Sequence, residues 1–288
     1  MRHSGCDRCG VRSCVSFLLA VLLAGCPEPV DPCACVTDDL DAHYLAAIQD
    51  AATTDPADIS RELTAISNHN PNLIWDEGPA GRRVLVVTWT SWNGYDELVG
   101  QDTTLSREVW VTVVPELQDF AADQSRSLPE LELRVRQLLG LPGDAVKDRF
   151  VELWVAPADL FRPSPDPEIS DQEAELDWPQ AGDFLTVAQE YITWFTSLMS
   201  LSYGPDGYPW TRLGYTYDWG NPCSNVGLSE FVIRPGAVVG VHAVTDNSGY
   251  LLGPGSETNK PQRILLHFVR DEVLATRSSS EMSPAGNS

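Results

Sequence analysis

Basic side chains are scarce in this 288-residue chain: 19 Lys and Arg stand against 41 Asp and Glu, a formal charge of −22. So acidic a surface repels phosphate backbones and anionic headgroups, which argues against a nucleic-acid partner and against membrane contact through a basic patch. Histidine is sparse as well. Beyond His3 there are only His43, His69, His242 and His267, none at the spacing of a helical metal site. There is no Gly-x-Ser-x-Gly elbow, phosphate-binding glycine loop or dinucleotide fingerprint, so the chemistries those backbones support have no foothold. The nearest serine context, Gly227-Leu228-Ser229-Glu230-Phe231, fails at its last glycine. Long apolar runs are missing too. The longest near the front, Val15 to Leu23, falls short of the roughly 20 residues that cross a bilayer. No internal repeat is present.

What stands at the front is an export signal in three parts. Arg2, Arg8 and Arg12 form the positive end, Val15 to Leu23 the apolar run, and small Ala24-Gly25 the cleavage step. The stretch Leu23-Ala24-Gly25-Cys26 resembles the lipobox of bacterial lipoproteins, a resemblance that covers the leader alone. It implies that the Cys26 thiol carries a diacylglyceryl group, that cleavage falls just before it, and that the protein is held by lipid outside the cytoplasm. Two or three acyl chains on one residue anchor stably where one is marginal.

Removing residues 1–25 from 288 leaves 263, enough for a substantial core. The leader takes Arg2, Arg8, Arg12 and Asp7 with it, so 19 basic and 41 acidic side chains become 16 and 40, a formal −24. Of the seven cysteines, Cys33, Cys35 and Cys223 then remain besides the lipidated one. Outside the cytoplasm a disulfide from Cys223 to Cys33 or Cys35 is plausible, tying the N-terminal tether to the body.

Residues 26–41, with Pro27, Pro29, Pro32 and several acids, read as an extended tether. Two short amphipathic helices follow: Leu40 to Ala52 with Leu45, Ile48 and Ala52 on one side, then a segment opened by Asp55-Pro56 with Ile59, Leu63 and Ile66. Strands are expected over Arg82 to Trp92, Glu108 to Val114, Phe150 to Val155 and Leu213 to Trp219. Leu228 to Arg234 and Ala237 to Val244 read as a hairpin about Pro235-Gly236. Pro115-Glu116 opens a short helix, and Pro129 to Leu139 is a helix striped by Leu131, Val135 and Leu138, with Gly140 at its C-cap. Pro157 to Pro179 is a long acidic loop. Phe184 to Met199 is the longest helix, broad enough in its apolar stripe to cover a sheet. Ile264 to Val269 is a further strand or short helix. The class is α+β: a mixed or antiparallel sheet covered by the helix near 184–199, with short N-terminal helices, in a single acidic domain over 42–276 followed by a disordered tail at 277–288.

Three constellations carry candidate chemistry. Trp210, Arg212, Tyr215, Tyr217, Asp218 and Trp219 lie in one aromatic-rich stretch whose period-two geometry puts Tyr215, Tyr217 and Trp219 on one strand face. That face reads either as core under the long helix or as a surface stacking on sugar rings. Asp166, Glu168, Asp171 and Glu173 begin a loop of six carboxylates in twelve residues, which suits Ca²⁺ in ligand type but departs from the EF-hand in spacing. Otherwise it is a solvated acidic loop, and no other cofactor is indicated. His69, flanked by Asn68 and Asn70 ahead of Asp76 and Glu77, is the candidate general base, against the alternative of an ordinary Asx turn. The expectation is therefore a lipid-anchored envelope protein that binds a carbohydrate or protein ligand without catalysis. An envelope hydrolase acting on glycan or peptide, and a purely structural envelope component, are the alternatives.

Overall fold

The computed structural model describes residues 39–78, 81–180 and 187–253. The leader, Cys26, Cys33, Cys35, the run at 264–269 and the tail lie outside the described residues. The class is α+β, and every pairing in the large sheet is antiparallel.

Helix α1, Leu40–Ala51, starts at Asp39, whose carboxylate accepts from the Ala42 N–H at 3.0 Å. It buries Ala47, Ile48 and Ala51, whereas Leu45 is exposed. The second N-terminal helix does not form. Asp55 and Asp58 close a capping box around one 3₁₀ turn, Pro56–Asp58, after which the chain runs extended. There the Leu63 N–H bonds Gln172 and the Ile66 N–H bonds Ile169, so the acidic loop supplies the partners that a helix would have found within itself.

The strands are β1 Trp75–Asp76, β2 Arg83–Thr90, β3 Asp102–Thr104, β4 Val109–Val113, β5 Arg149–Val155, β6 Leu160–Phe161, β7 Tyr215–Tyr217, β8 Val226–Ser229, β9 Phe231–Ile233 and β10 Val238–Asp246. The main sheet runs β3-β10-β5-β2-β4-β9-β6, with β1 also on β2, while β7 and β8 form a separate ladder. The hairpin expected about Pro235-Gly236 is absent. The turn exists, with Gly236 at φ 83°, but β9 pairs with β4 and β6 while β10 pairs with β5 and β3.

Period two sorts the side chains of β2 and β5 between two cores. Val84, Val86, Val151, Leu153 and Val155 join Phe231, Ile233, Val239 and Val241 on one face. Leu85, Val87, Trp89 and Phe150 pack on the other face against helices α2 Glu116–Ala122, α3 Leu128–Leu138 and α5 Asn247–Leu252. The sequence sets up α3 with a capping box between Ser127 and Glu130, and Leu131, Val135 and Leu138 are buried on its inner side.

The longest helix, α4 Gln189–Ser202, is not what covers the sheet. Only Phe195 and Ser202 of it are buried, and it meets the strands through rings: Trp194 lies 6.5 Å from Trp110 of β4 and 5.2 Å from Phe161 of β6. Among the described residues no helix is long and apolar enough to cross a membrane.

Candidate functional site

The site begins with an interrupted ladder. One edge of β2 is taken first by β1 and then by β4, whose pairing stops at Val87↔Thr112. Beyond that point β4 turns its other edge to β9 through Val109, Trp110 and Val111, and Thr88 to Thr90 are paired with β5. By the alternation of an antiparallel ladder, the backbone groups of Trp89 and Trp110 face the gap between the two strands. A cavity of about 660 Å³ lies there, lined by both strands, by the β7 ladder and by the Tyr208–Trp210 loop. That size falls within the roughly 300–1,000 Å³ of small-molecule sites. Trp92 and Tyr208, 57% and 51% exposed, belong to the same lining.

Glu230 lies between the two ladders. Ser229 ends β8, which pairs with β7, and Phe231 opens β9, which pairs with β4. Its N–H donates to the Gly214 carbonyl at 2.9 Å, so the backbone is held at the joint. The residue is half-buried and lines the cavity, yet its Oε2 is sealed from solvent and makes no hydrogen bond among the described residues. Burial pushes this carboxyl up to about 8, so it carries its proton at neutral pH.

Trp210 supplies a second orphan. Its Nε1 is buried and makes no hydrogen bond among the described residues, while the residue lines the same cavity. The ring is fixed by Phe195 at 4.8 Å and Trp110 at 6.2 Å, and its carbonyl accepts from the Tyr203 hydroxyl at 2.6 Å. Leaving such groups unsatisfied costs about 1–3 kcal/mol each, so folding by itself gains nothing from the pair. Around them, the Thr216 hydroxyl donates to the Leu138 carbonyl at 2.6 Å, and Thr112 donates to Glu116 at 3.2 Å. Burial raises the Glu116 carboxyl, with hydrogen bonds from Thr64 and Thr112 opposing it, and lowers the Lys147 ammonium, which also lines the cavity. The charged residues of the lining are Arg107, Glu108, Lys147 and Glu230.

The structure divides the residues expected to bind a ligand. Trp210, Tyr215 and Tyr217 line the cavity. Arg212, Asp218 and Trp219 hold the frame instead. Arg212 donates to the Ala51 and Ala52 carbonyls and to Thr54, at the end of α1. Asp218 forms a buried two-pronged pair with Arg134 at 2.8 and 2.5 Å, and Trp219 Nε1 donates to the Leu141 carbonyl at 3.0 Å. The aromatic strand face is therefore packed rather than open: Tyr215 is 1% exposed, and its hydroxyl donates to the Asp58 carbonyl.

The other candidates do not converge. His69 is exposed, Asp76 is ion-paired with Arg83 at 2.8 Å and Glu77 with Arg82 at 2.8 Å. Among the described residues no group of three or more His, Cys, Asp or Glu is placed to hold a metal ion. Two of the four carboxylates proposed for calcium are taken by arginines. Asp171 pairs with fully buried Arg162 at 2.8 Å, and Glu173 with Arg61 at 3.0 Å. Arg162 also takes the Asp171 and Glu173 carbonyls, so the acidic loop is curled around a buried cation rather than merely solvated. Glu175 in the same loop is pushed up to about 7 by burial and by Asp166 and Asp171. Cys223 is disulfide-bonded, with its partner outside the described residues.

Sequence reasoning passed over Glu230. The available signal was an acid inside the run Leu228 to Arg234, where a strand with one buried face has no ordinary place for it. No protein family model matches this chain, nor does any curated protein or solved structure.

Proposed function

We infer that this chain is a lipid-anchored, extracytoplasmic envelope protein that binds a ligand or partner, and that the cavity beside Glu230 is where it does so. The observation that carries the binding half is a cavity of ligand size whose lining brings the exposed rings of Trp92 and Tyr208 together with Trp110, Trp210 and Glu230. The anchoring half rests on Leu23-Ala24-Gly25-Cys26. Replacing Cys26→Ala is expected to leave the precursor uncleaved and unlabelled by a fatty-acid analogue. Labelling that survives the substitution refutes the anchor. No cofactor is part of this reading.

One observation favours hydrolysis as the second reading. A carboxyl that holds its proton at neutral pH is what a general acid requires, and Glu108 is a second carboxylate in the same lining. The two readings separate on turnover. A binding protein leaves glycans and peptides intact, whereas a hydrolase cleaves them and loses that activity in Glu230→Gln. A structural envelope component would do neither, and its cavity would bind nothing.

A further inference from the structure

We propose that the occupant of this cavity is a small organic carboxylate with a flat or apolar body, its carboxylate on the Lys147 ammonium, its body against Trp92, Trp110 and Tyr208, and Arg107 at the rim. The inference rests on the binding reading above and names its ligand class.

Cations in this acidic chain are almost all spoken for. Of the twelve Arg and Lys among the described residues, eight are ion-paired with a carboxylate. Arg126 is bonded to Gln124, and Arg212 to backbone carbonyls and Thr54. Two remain, Arg107 and Lys147, with no hydrogen bond or ion pair among the described residues, and both line the cavity. Arg107 acts electrostatically on the Tyr95 hydroxyl, and the Tyr95 ring meets Trp92 at 4.7 Å. Lys147 precedes Asp148, whose N–H donates to the Thr90 carbonyl at 3.2 Å. Both cations therefore border one stretch of chain, Thr90 to Tyr95, where β2 runs out into the lining. They are not equivalent. Arg107 is exposed, whereas Lys147 is half-buried and burial lowers its ammonium with no carboxylate opposing it. A bound carboxylate supplies that counter-charge.

Charge decides the ligand class. Glu108 is the other ionised group of the lining, its Oε1 accepting from Trp194 Nε1 at 3.5 Å, whereas Glu230 holds its proton. Two cations against one carboxylate leave the lining at a formal +1 inside a chain of −22. Asp148, next to Lys147, is taken by Arg149 at 2.9 Å, and charges elsewhere on the surface are screened beyond the roughly 8 Å Debye length of physiological salt. A single carboxylate matches that +1. A cation would meet two like charges, a neutral molecule would leave both cations unpaired, and a phosphate dianion would set a second negative charge against Glu108. The rings supply the rest: Trp92 and Tyr208 are exposed, and Trp110 is half-buried with Trp210 edge-on to it, ring planes 88° apart. Such walls suit a flat or apolar body. An extended peptide fits poorly, because the unpaired stretch beyond Val87↔Thr112 is too short for the run of main-chain hydrogen bonds that strand addition uses.

The test uses the full chain, purified in a nonionic detergent, and calorimetric titration with three ligands that share a ring and differ in charge: indole-3-acetate, indole-3-acetamide and tryptamine. Octanoate, phenyl phosphate and cellobiose extend the set. Indole-3-acetate or octanoate is expected to bind, with the amide and the amine about tenfold weaker or more. Lys147→Gln should weaken the carboxylate about tenfold, Lys147→Arg should hold it within about threefold, and Arg107→Gln should cost about threefold and flatten the salt dependence. Arg126→Gln, which removes a cation outside the lining, should change nothing. Should Lys147→Gln prove unfolded, Arg107→Gln and the order of the three indoles decide. Carboxylate binding indifferent to Lys147→Gln overturns the proposal. Tighter binding of phenyl phosphate, tryptamine or cellobiose than of either carboxylate also overturns it, while leaving the cavity a ligand site. Binding by none of these probes overturns the proposal and the binding reading together.

Discussion

Replacing Glu230 by Gln should stabilise the protein, and by an amount that grows with pH. Below about pH 4.5 the carboxyl holds its proton in both the folded and unfolded chain, so the near-isosteric amide changes little. Between that value and about 8 the unfolded chain has released the proton and the folded chain has not, so folding stability is lost steadily as pH rises. At 1.36 kcal/mol per unit, the upper bound on that loss is about 3 kcal/mol at pH 7 and about 5 kcal/mol above pH 8. Glutamine has no proton to release and escapes the loss, while the rest of the lining is the same in both proteins and drops out of the difference. Urea unfolding at pH 4.5, 6, 7 and 8.5 measures it. With a slope of about 2–3 kcal/mol per molar urea, the midpoint of Glu230→Gln should exceed that of the parent by about 1 M at pH 7 and coincide with it near pH 4.5. A difference independent of pH would mean that Glu230 ionises like a surface glutamate, and the desolvated character of the cavity would fall with it.

Two further substitutions probe the frame that holds the site. Asp218→Asn leaves the buried Arg134 guanidinium without its carboxylate and should cost about 3–5 kcal/mol, seen as a fall of about 10 °C in melting temperature; a loss below about 1 kcal/mol would show the pair to be effectively solvated. Gly214 sits at φ 70° with the Arg162 stem where a methyl would go, so Gly214→Ala should lower stability by at least about 2 kcal/mol, and an unchanged calorimetric transition would contradict that packing.

The parts of this fold that sequence conveyed are those decided within a few residues. Strand β2 announces itself by the continuous apolar run Val84 to Val87, β4 and β5 by the alternation of Val109, Val111 and Val113 and of Val151, Leu153 and Val155, and α3 by Pro129 and the acids after it ahead of its stripe. What failed was decided at long range. Leu63 and Ile66 share a helical spacing, yet they enter different clusters, Leu63 beside Leu213 and Tyr215, Ile66 with Val84 and Phe231. Only an extended chain held by the acidic loop delivers them so. Pro235-Gly236 gave the turn correctly and the pairing wrongly, because the turn fixes direction while β4 and β5 compete for the strands on either side. For the candidate site, the aromatic stretch pointed to the right neighbourhood: Trp210, Tyr215 and Tyr217 line the cavity, while Arg212, Asp218 and Trp219 hold the frame. Tyr215 and Trp219 are consumed by packing, and what lines the cavity with an unmet hydrogen bond is Trp210, one turn of chain earlier.

Glu230 was legible only as a contradiction, an acid in an apolar strand, and the structure gives that contradiction a use. A leucine at this position would continue the run from Leu228 and lift the burial penalty, so folding gives no reason for the carboxyl. Its backbone lies where the chain leaves one ladder for the other, with β7 and Gly214 on one side and β4 on the other. Two ladders fix the residue from both directions, and a side chain so held loses little further freedom when a ligand arrives. The same joint separates β9, paired along Val109 to Val111, from the stretch of β2 that would have closed the gap. The feature that opens the cavity thus also holds the carboxyl in its lining, which is why the function of this fold is sought there rather than in its histidines or its acidic loop.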